Sequence, residues 1–132
     1  MDGTARWMFR SFVSERRESA VDSWYQAQTP KVRAVFDTTL KYLRDRLGWV
    51  MPYARVLEGG CDGLVEIRFK AEKVQHRPLG FYGPLRLEFT ITLFATERGG
   101  DFDPPNSCET ALRRKTVVCV SREERSCEWT VE

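Results

Sequence analysis

The sequence predicts an α+β domain in the order β-α-α-β-β-β-α, and three observations predict it. Apolar side chains between residues 32 and 47 recur at three- and four-residue steps, the period of a helix with one buried face. Residues 64–96 instead alternate apolar and polar, the period of strands. The connections inside that second region are too short for crossover helices, so the strands should pair antiparallel.

Each element has its own signal. Arg6 to Val13 is a short aromatic, β-prone run and reads as the first strand. Ser19 opens a Ser-x-x-Asp capping box with Asp22, starting a short helix that buries Trp24 and Tyr25. Thr29 caps the second helix, Pro30 suits its first position, and Gly48 suits its stop. Between them Val32, Val35, Phe36, Leu40, Leu43 and Leu47 form the apolar stripe. Asp37, Lys41 and Asp45 form i,i+4 pairs on the solvated face.

Three strands follow a Gly-rich connector. In residues 64–71, Val65, Ile67, Phe69 and Ala71 share a face opposite Leu64, Glu66, Arg68 and Lys70. The stripe of the second helix should pack on the first of these faces, since a one-residue slip would expose the whole apolar row. In residues 74–82, Pro78 and Gly80 predict a bulge or an edge position. In residues 88–96, Phe89, Ile91, Leu93 and Ala95 are expected on one face, with Thr90, Thr92, Phe94 and Thr96 on the other. Asn106 with Glu109 caps a last helix running to about Val118, and residues 121–132 read as a loose polar tail after a domain spanning 1–120.

Composition excludes several classes. Charged residues make up 30% with a net charge of +2, and no apolar run is long enough to span a bilayer. Eight Phe, four Tyr and four Trp are too many for a disordered chain. The near-neutral balance does not demand a nucleic acid, but the acidic last segment masks a mildly basic body. Cys61, Cys108, Cys119 and Cys127 lack zinc-site spacing, and His76 is the only histidine. Residues 1–5 lack a signal-peptide core. These features read as reduced thiols in a cytoplasmic protein with no metal and no cofactor.

No side-chain nucleophile motif is present, and a two-histidine acid–base pair is excluded. Chemistry here would rest on charge stabilisation, for which arginine suits phosphate. Arg68 and Arg77, each in mid-strand, are therefore the residues to watch. The competing reading of Arg68 is a salt bridge with Glu66 or Glu88, and of Arg98 a surface pair. Tyr82 and His76 share a parity and could stack on a base or move a proton, against partly buried structural roles.

The stretches Gly63-Leu64-Val65-Glu66-Ile67-Arg68-Phe69-Lys70 and Gln75-His76-Arg77-Pro78-Leu79-Gly80-Phe81-Tyr82-Gly83, followed by Phe89 to Gly100, resemble the HigB-like branch of the RelE/ParE toxin superfamily. Ala111 and Arg114 match the alanine and arginine of its closing helix. The resemblance covers roughly Trp24 to Lys115. It implies two N-terminal helices on a twisted, mainly antiparallel sheet whose open face binds RNA. It implies an endoribonuclease that cuts mRNA in the A site of the small ribosomal subunit, using the RNA's own 2′-hydroxyl. It also implies a co-encoded helix-turn-helix antitoxin as partner, and no membrane.

Residue by residue, the resemblance assigns Arg68 and Arg77 to the scissile phosphate and Arg98 to the basic pair closing the third strand. It puts His76 at a position usually held by tyrosine, as an acid or base. Lys70, Glu97, Tyr82 and Arg114 are the implied RNA contacts, with Glu97 standing where relatives often carry lysine. Two alternatives accompany this reading: a ParE-like inhibitor of DNA gyrase, and a decayed homologue that only binds an antitoxin.

Overall fold

In the computed structural model, which describes residues 6–131, the chain runs β1 (Met8–Phe12), α1 (Ala20–Gln26), α2 (Pro30–Arg44), β2 (Ala54–Val56), β3 (Val65–Ile67), β4 (Phe69–Ala71), β5 (Val74–Tyr82), β6 (Glu88–Arg98), β7 (Asp101–Asp103), α3 (Ser107–Val120), α4 (Arg122–Arg125) and β8 (Ser126–Trp129), with a 3-10 turn at Gly59–Cys61. Residues 1–5, read above as lacking a signal-peptide core, and Glu132 lie outside the described residues. All seven expected elements are present, but the order is longer than β-α-α-β-β-β-α. The expected 64–71 strand is split, and β2, β7, α4 and β8 are added. No described helix is long and apolar enough to cross a membrane.

The strands form one mostly antiparallel sheet in the order β2-β3-β5-β6-β1-β8, with β4 beside β5 and β7 beside β6. β1 runs parallel to β6, with Phe9 opposite Phe89. The α1–α2 face carries the main core: Val32, Phe36, Leu40 and Leu43 pack with Val65, Ile67, Phe69 and Ala71, as the alternation requires. Both caps form as expected, Ser19 accepting from the Asp22 amide and Thr29 from the Val32 amide. Trp24 stacks on Phe94 with ring centroids 4.2 Å apart, fixing α1 to the sheet. α2 ends at Arg44, one turn short of the expected stop, and leaves Leu47 exposed.

Two irregularities in the sheet have backbone causes. β3 and β4 share one register against β5, Val65 facing Gly80 and Phe69 facing His76. Extending that register sets Ile67 opposite Pro78, which has no N–H to give to the ladder. The strand breaks there, while on its other edge the β2–β3 register carries on, the Arg68 amide donating to the Tyr53 carbonyl at 2.8 Å. Pro78 therefore marks a break beside a central strand, and β5 is not an edge.

The second irregularity is the bulge. Leu79 faces Leu93, but Gly80 faces Ile91, so Thr92 is an extra residue on β6. An extra residue reverses the alternation. Phe89 and Ile91 join the α1–α2 core, while Leu93 lies on the α3 side with Leu79 and Ala111. The expected single row Phe89/Ile91/Leu93/Ala95 is thus divided between the two faces.

The face expected to be open is half covered. α3 packs Ala111 and Leu112 on Leu64, Leu79 and Leu93, and Val117 and Val118 on Phe12 and Phe81. Asn106 sits at the N-cap position of α3 but makes no side-chain cap bond. The Cys61–Cys108 disulfide ties the 3-10 turn to the first turn of α3, so these two cysteines are not the reduced thiols expected; Cys119 and Cys127 are free. Residues 121–131 are not a loose tail either. β8 pairs antiparallel with β1, and Arg122 pairs with the buried Glu88.

Candidate functional site

Beyond the reach of α3, the same face of the sheet carries charge. Glu66 and Arg68 alternate with the core-facing Val65, Ile67 and Phe69, and so share a face. Glu66 is 1% exposed; its Oε2 accepts from Arg55 at 3.0 Å and from Arg68, while Oε1 has no partner among the described residues. On β5, Gln75 and Arg77 occupy the matching face. Arg77 is 3% exposed and bonds three ways: Nε to Glu97 at 3.0 Å, Nη1 to the His76 carbonyl at 2.8 Å, and Nη2 to Gln75 at 3.2 Å.

These residues meet at a notch in the sheet edge. Among the described residues β2 pairs only with β3, and nothing pairs with the outer edge of β4 beyond Tyr53. A cleft of about 320 Å³ opens there, lined by Thr39, Pro52, Tyr53, Arg68, Phe69, Lys70, Gln75 and Arg77. Two guanidiniums and an ammonium from neighbouring strands thus face one space. Arg68 spends one of its N–H groups on Glu66, and Lys70 is exposed with none of its donors engaged by the described residues. The arrangement can hold a phosphate against a fixed guanidinium fork.

The structure brings Arg68, Lys70 and Arg77 together, with Glu97 holding Arg77. It separates the rest. Arg98 lies at the exposed tip of β6, 4.0 Å from Asp103, outside the cleft lining. His76 points to the opposite face from Arg77, stacked on Phe69 and edge-on to Trp24, with Nε2 buried and unpartnered among the described residues. Burial, and then the adjacent Arg77 charge, push its pKa below the usual histidine value. A neutral core imidazole on the far side of the sheet is not placed to exchange protons with a ligand beside Arg77.

Tyr82 also lies on the α1–α2 face, packed with Trp7, Trp49 and Phe89, and burial raises its pKa. Arg114 is held at the bulge, where Nη1 donates to the Thr92 carbonyl at 2.8 Å and the guanidinium lies over the Phe12 ring. Glu88, a considered partner of Arg68, is taken by Arg122, whose hydrogen bonds hold its carboxyl below the ordinary range.

Sequence reasoning missed Tyr53 and Gln75. Gln75 was findable, because it shares strand parity with Arg77; Tyr53 reaches the cleft only through the Pro78 break. Among the described residues, no group of three His, Cys, Asp or Glu side chains is placed to hold a metal ion. No family model, curated protein or solved structure matches this chain.

Proposed function

We propose that this protein is the toxin of a type II toxin–antitoxin pair, an endoribonuclease of RelE-like, HigB-type character acting on mRNA in the A site of the small ribosomal subunit. One observation carries the reading: Arg68, Lys70 and Arg77 converge on a single cleft beside Tyr53 and Gln75. The ribose 2′-hydroxyl attacks the adjacent phosphorus, the bond to the 5′-oxygen breaks, and a 2′,3′-cyclic phosphate and a 5′-hydroxyl result. The 2′-hydroxyl loses a proton and the departing oxygen gains one. Arg68 and Arg77 would offset the charge that grows on the phosphorane oxygens.

With His76 on the other face, Lys70 and Tyr53 are the proton carriers of the lining beside the guanidiniums; the Thr39 hydroxyl is spent on the Val35 carbonyl. The partner is a helix-turn-helix antitoxin, and the compartment is the cytoplasm. There the glutathione pool works against the Cys61–Cys108 bond, the feature of the fold that disfavours this compartment.

A second reading, antitoxin binding without cleavage, is favoured by Arg77: a 3%-exposed guanidinium with all three nitrogens bonded has little left for substrate. Induced expression with growth curves and primer extension separates the two. Cleavage by the parent, slowed ~100-fold in Arg68→Ala or Lys70→Ala, supports the nuclease. Antitoxin capture with intact transcripts supports the second reading. Growth arrest with double-strand DNA breaks and uncut RNA overturns both in favour of gyrase inhibition.

A further inference from the structure

A second cationic cleft lies on the other side of α3, at Phe12. Its volume is about 470 Å³, within the range of small-molecule sites. Three segments bring four arginines to it: Arg16 from the β1–α1 turn, Arg113 and Arg114 from α3, and Arg125 from α4. Two of the four are fixed. Arg114 donates to the Thr92 carbonyl, Arg125 donates to the Val13 carbonyl at 3.0 Å, and both guanidiniums sit against the Phe12 ring, at 4.7 and 5.4 Å.

The other two are poised but unspent. Arg16 rides on a turn closed by the Arg17 amide to the Ser14 carbonyl and by the Glu18 amide to the Ser14 hydroxyl. The side chains of Arg16 and Arg113 are exposed and make no ion pair with the described residues, although Glu15 and Glu18 share the lining. Positive charge is therefore in excess. At Arg114 burial, and then the Arg113 charge, lower the pKa. An anion between these side chains would relieve that repulsion.

We propose that this cleft binds a phosphate ester, with Arg16 and Arg113 gripping the phosphate and Arg114 and Arg125 framing it. All four cations are arginines, whose planar forks pair with two oxygens at once. The site is independent of the cleft at Arg68 and Arg77.

The test follows arginine side-chain N–H resonances of the full chain during titration with inorganic phosphate, adenosine monophosphate, a short single-stranded RNA and a glutamate peptide. The Arg113 and Arg114 signals should move with the phosphate probes. The double variant Arg16→Gln/Arg113→Gln should weaken binding about tenfold or more. Arg86→Gln, the loss of one positive charge at an exposed position elsewhere, should not. Saturation by the mononucleotide with no gain from RNA identifies a free nucleotide as the source. An RNA salt slope that falls by about 0.7 for each arginine removed identifies the RNA backbone, and either outcome supports the site. The proposal is overturned if the signals stay still, if Arg86→Gln weakens binding equally, or if the glutamate peptide binds more tightly than the phosphates.

Discussion

The Arg114 guanidinium donates to the carbonyl of Thr92, the one residue that β6 carries in excess of β5. A bulge frees backbone groups from the ladder, and a buried carbonyl without a donor is costly. The long side chain from α3 supplies the donor and joins helix to sheet. The arginine that the family resemblance marks as an RNA contact thus has a structural task at the bulge.

Arg114→Ala should therefore destabilise the fold. Loss of a hydrogen bond from a charged donor costs about 1.5–3 kcal/mol, and the contact with Phe12 adds about 0.5–1 kcal/mol. Urea unfolding should show a lower midpoint at an unchanged m-value. A change under about 0.5 kcal/mol would show that water replaces the guanidinium without loss.

Gly80 cannot carry a side chain. A Cβ there would lie 2.3 Å from the Thr90 carbonyl oxygen and 2.7 Å from a Phe89 ring carbon. The ring could shift, but the backbone carbonyl belongs to a central strand. Gly80→Ala should cost about 3 kcal/mol or more, read as soluble yield and thermal midpoint. A normal midpoint would mean that the bulge can migrate along β6.

Two of the three cations of the cleft beside Tyr53, Arg77 and Lys70, should respond differently to truncation. Arg77→Ala removes three hydrogen bonds and leaves Glu97 and Gln75 without their buried partner, for a loss of about 3 kcal/mol. Arg77 therefore cannot be removed with the thermal midpoint left nearly unchanged, as its strand parity alone suggests. Lys70→Ala, at an exposed side chain, should stay within about 0.5 kcal/mol of the parent. Equal midpoints for the two variants would mean that the Arg77 network contributes nothing net.

His76 gives a pH dependence whose sign is fixed. Its pKa is lowered in the folded state, so the unfolded chain binds the proton first as pH falls. Stability should be flat above the unfolded value near 6.5, decline below it, and level off once pH passes the folded value. Glu88 acts in a separate window: its lowered pKa gives stability that is lost only below about pH 4.5. Denaturant midpoints between pH 7 and 5 should fall in the parent and stay level in His76→Phe. Parallel curves would place the proton uptake elsewhere.

Reducing the Cys61–Cys108 bond opens a loop with a sequence separation of 47. The fold should lose about 2–4 kcal/mol, and the double variant Cys61→Ser/Cys108→Ser should match the reduced parent. Identical midpoints with and without reductant would show that the contacts of α3 with the 3-10 turn hold without it.

What the sequence made legible was the pattern that backbone period imposes. Ser19, Thr29 and Pro30 mark helix starts because caps are local chemistry, and Val32, Phe36, Leu40 and Leu43 declare their face by spacing. The Arg68/Arg77 pair was visible through strand parity. Three things were not. Thr92 looks like any alternating threonine, and only its pairing with β5 reveals the bulge. Residues 126–129 are polar enough to read as a tail, because an edge strand needs backbone partners rather than apolar side chains. The second cluster joins Arg16, Arg113 and Arg125 from segments far apart in the chain, and no local spacing announces it.

The position of β1 has a consequence for the order of folding. β5 and β6 are joined by a short turn, with Tyr82 opposite Phe89, and can zip early as a local hairpin. β1 must instead dock between β6 and β8, parallel to the first and antiparallel to the second, with Phe9 facing both Phe89 and Trp129, partners distant in sequence. Closing such large loops comes late. Until it does, β6 presents a long hydrophobic edge, so the slow step of folding is also the interval in which strands of two chains can pair with each other.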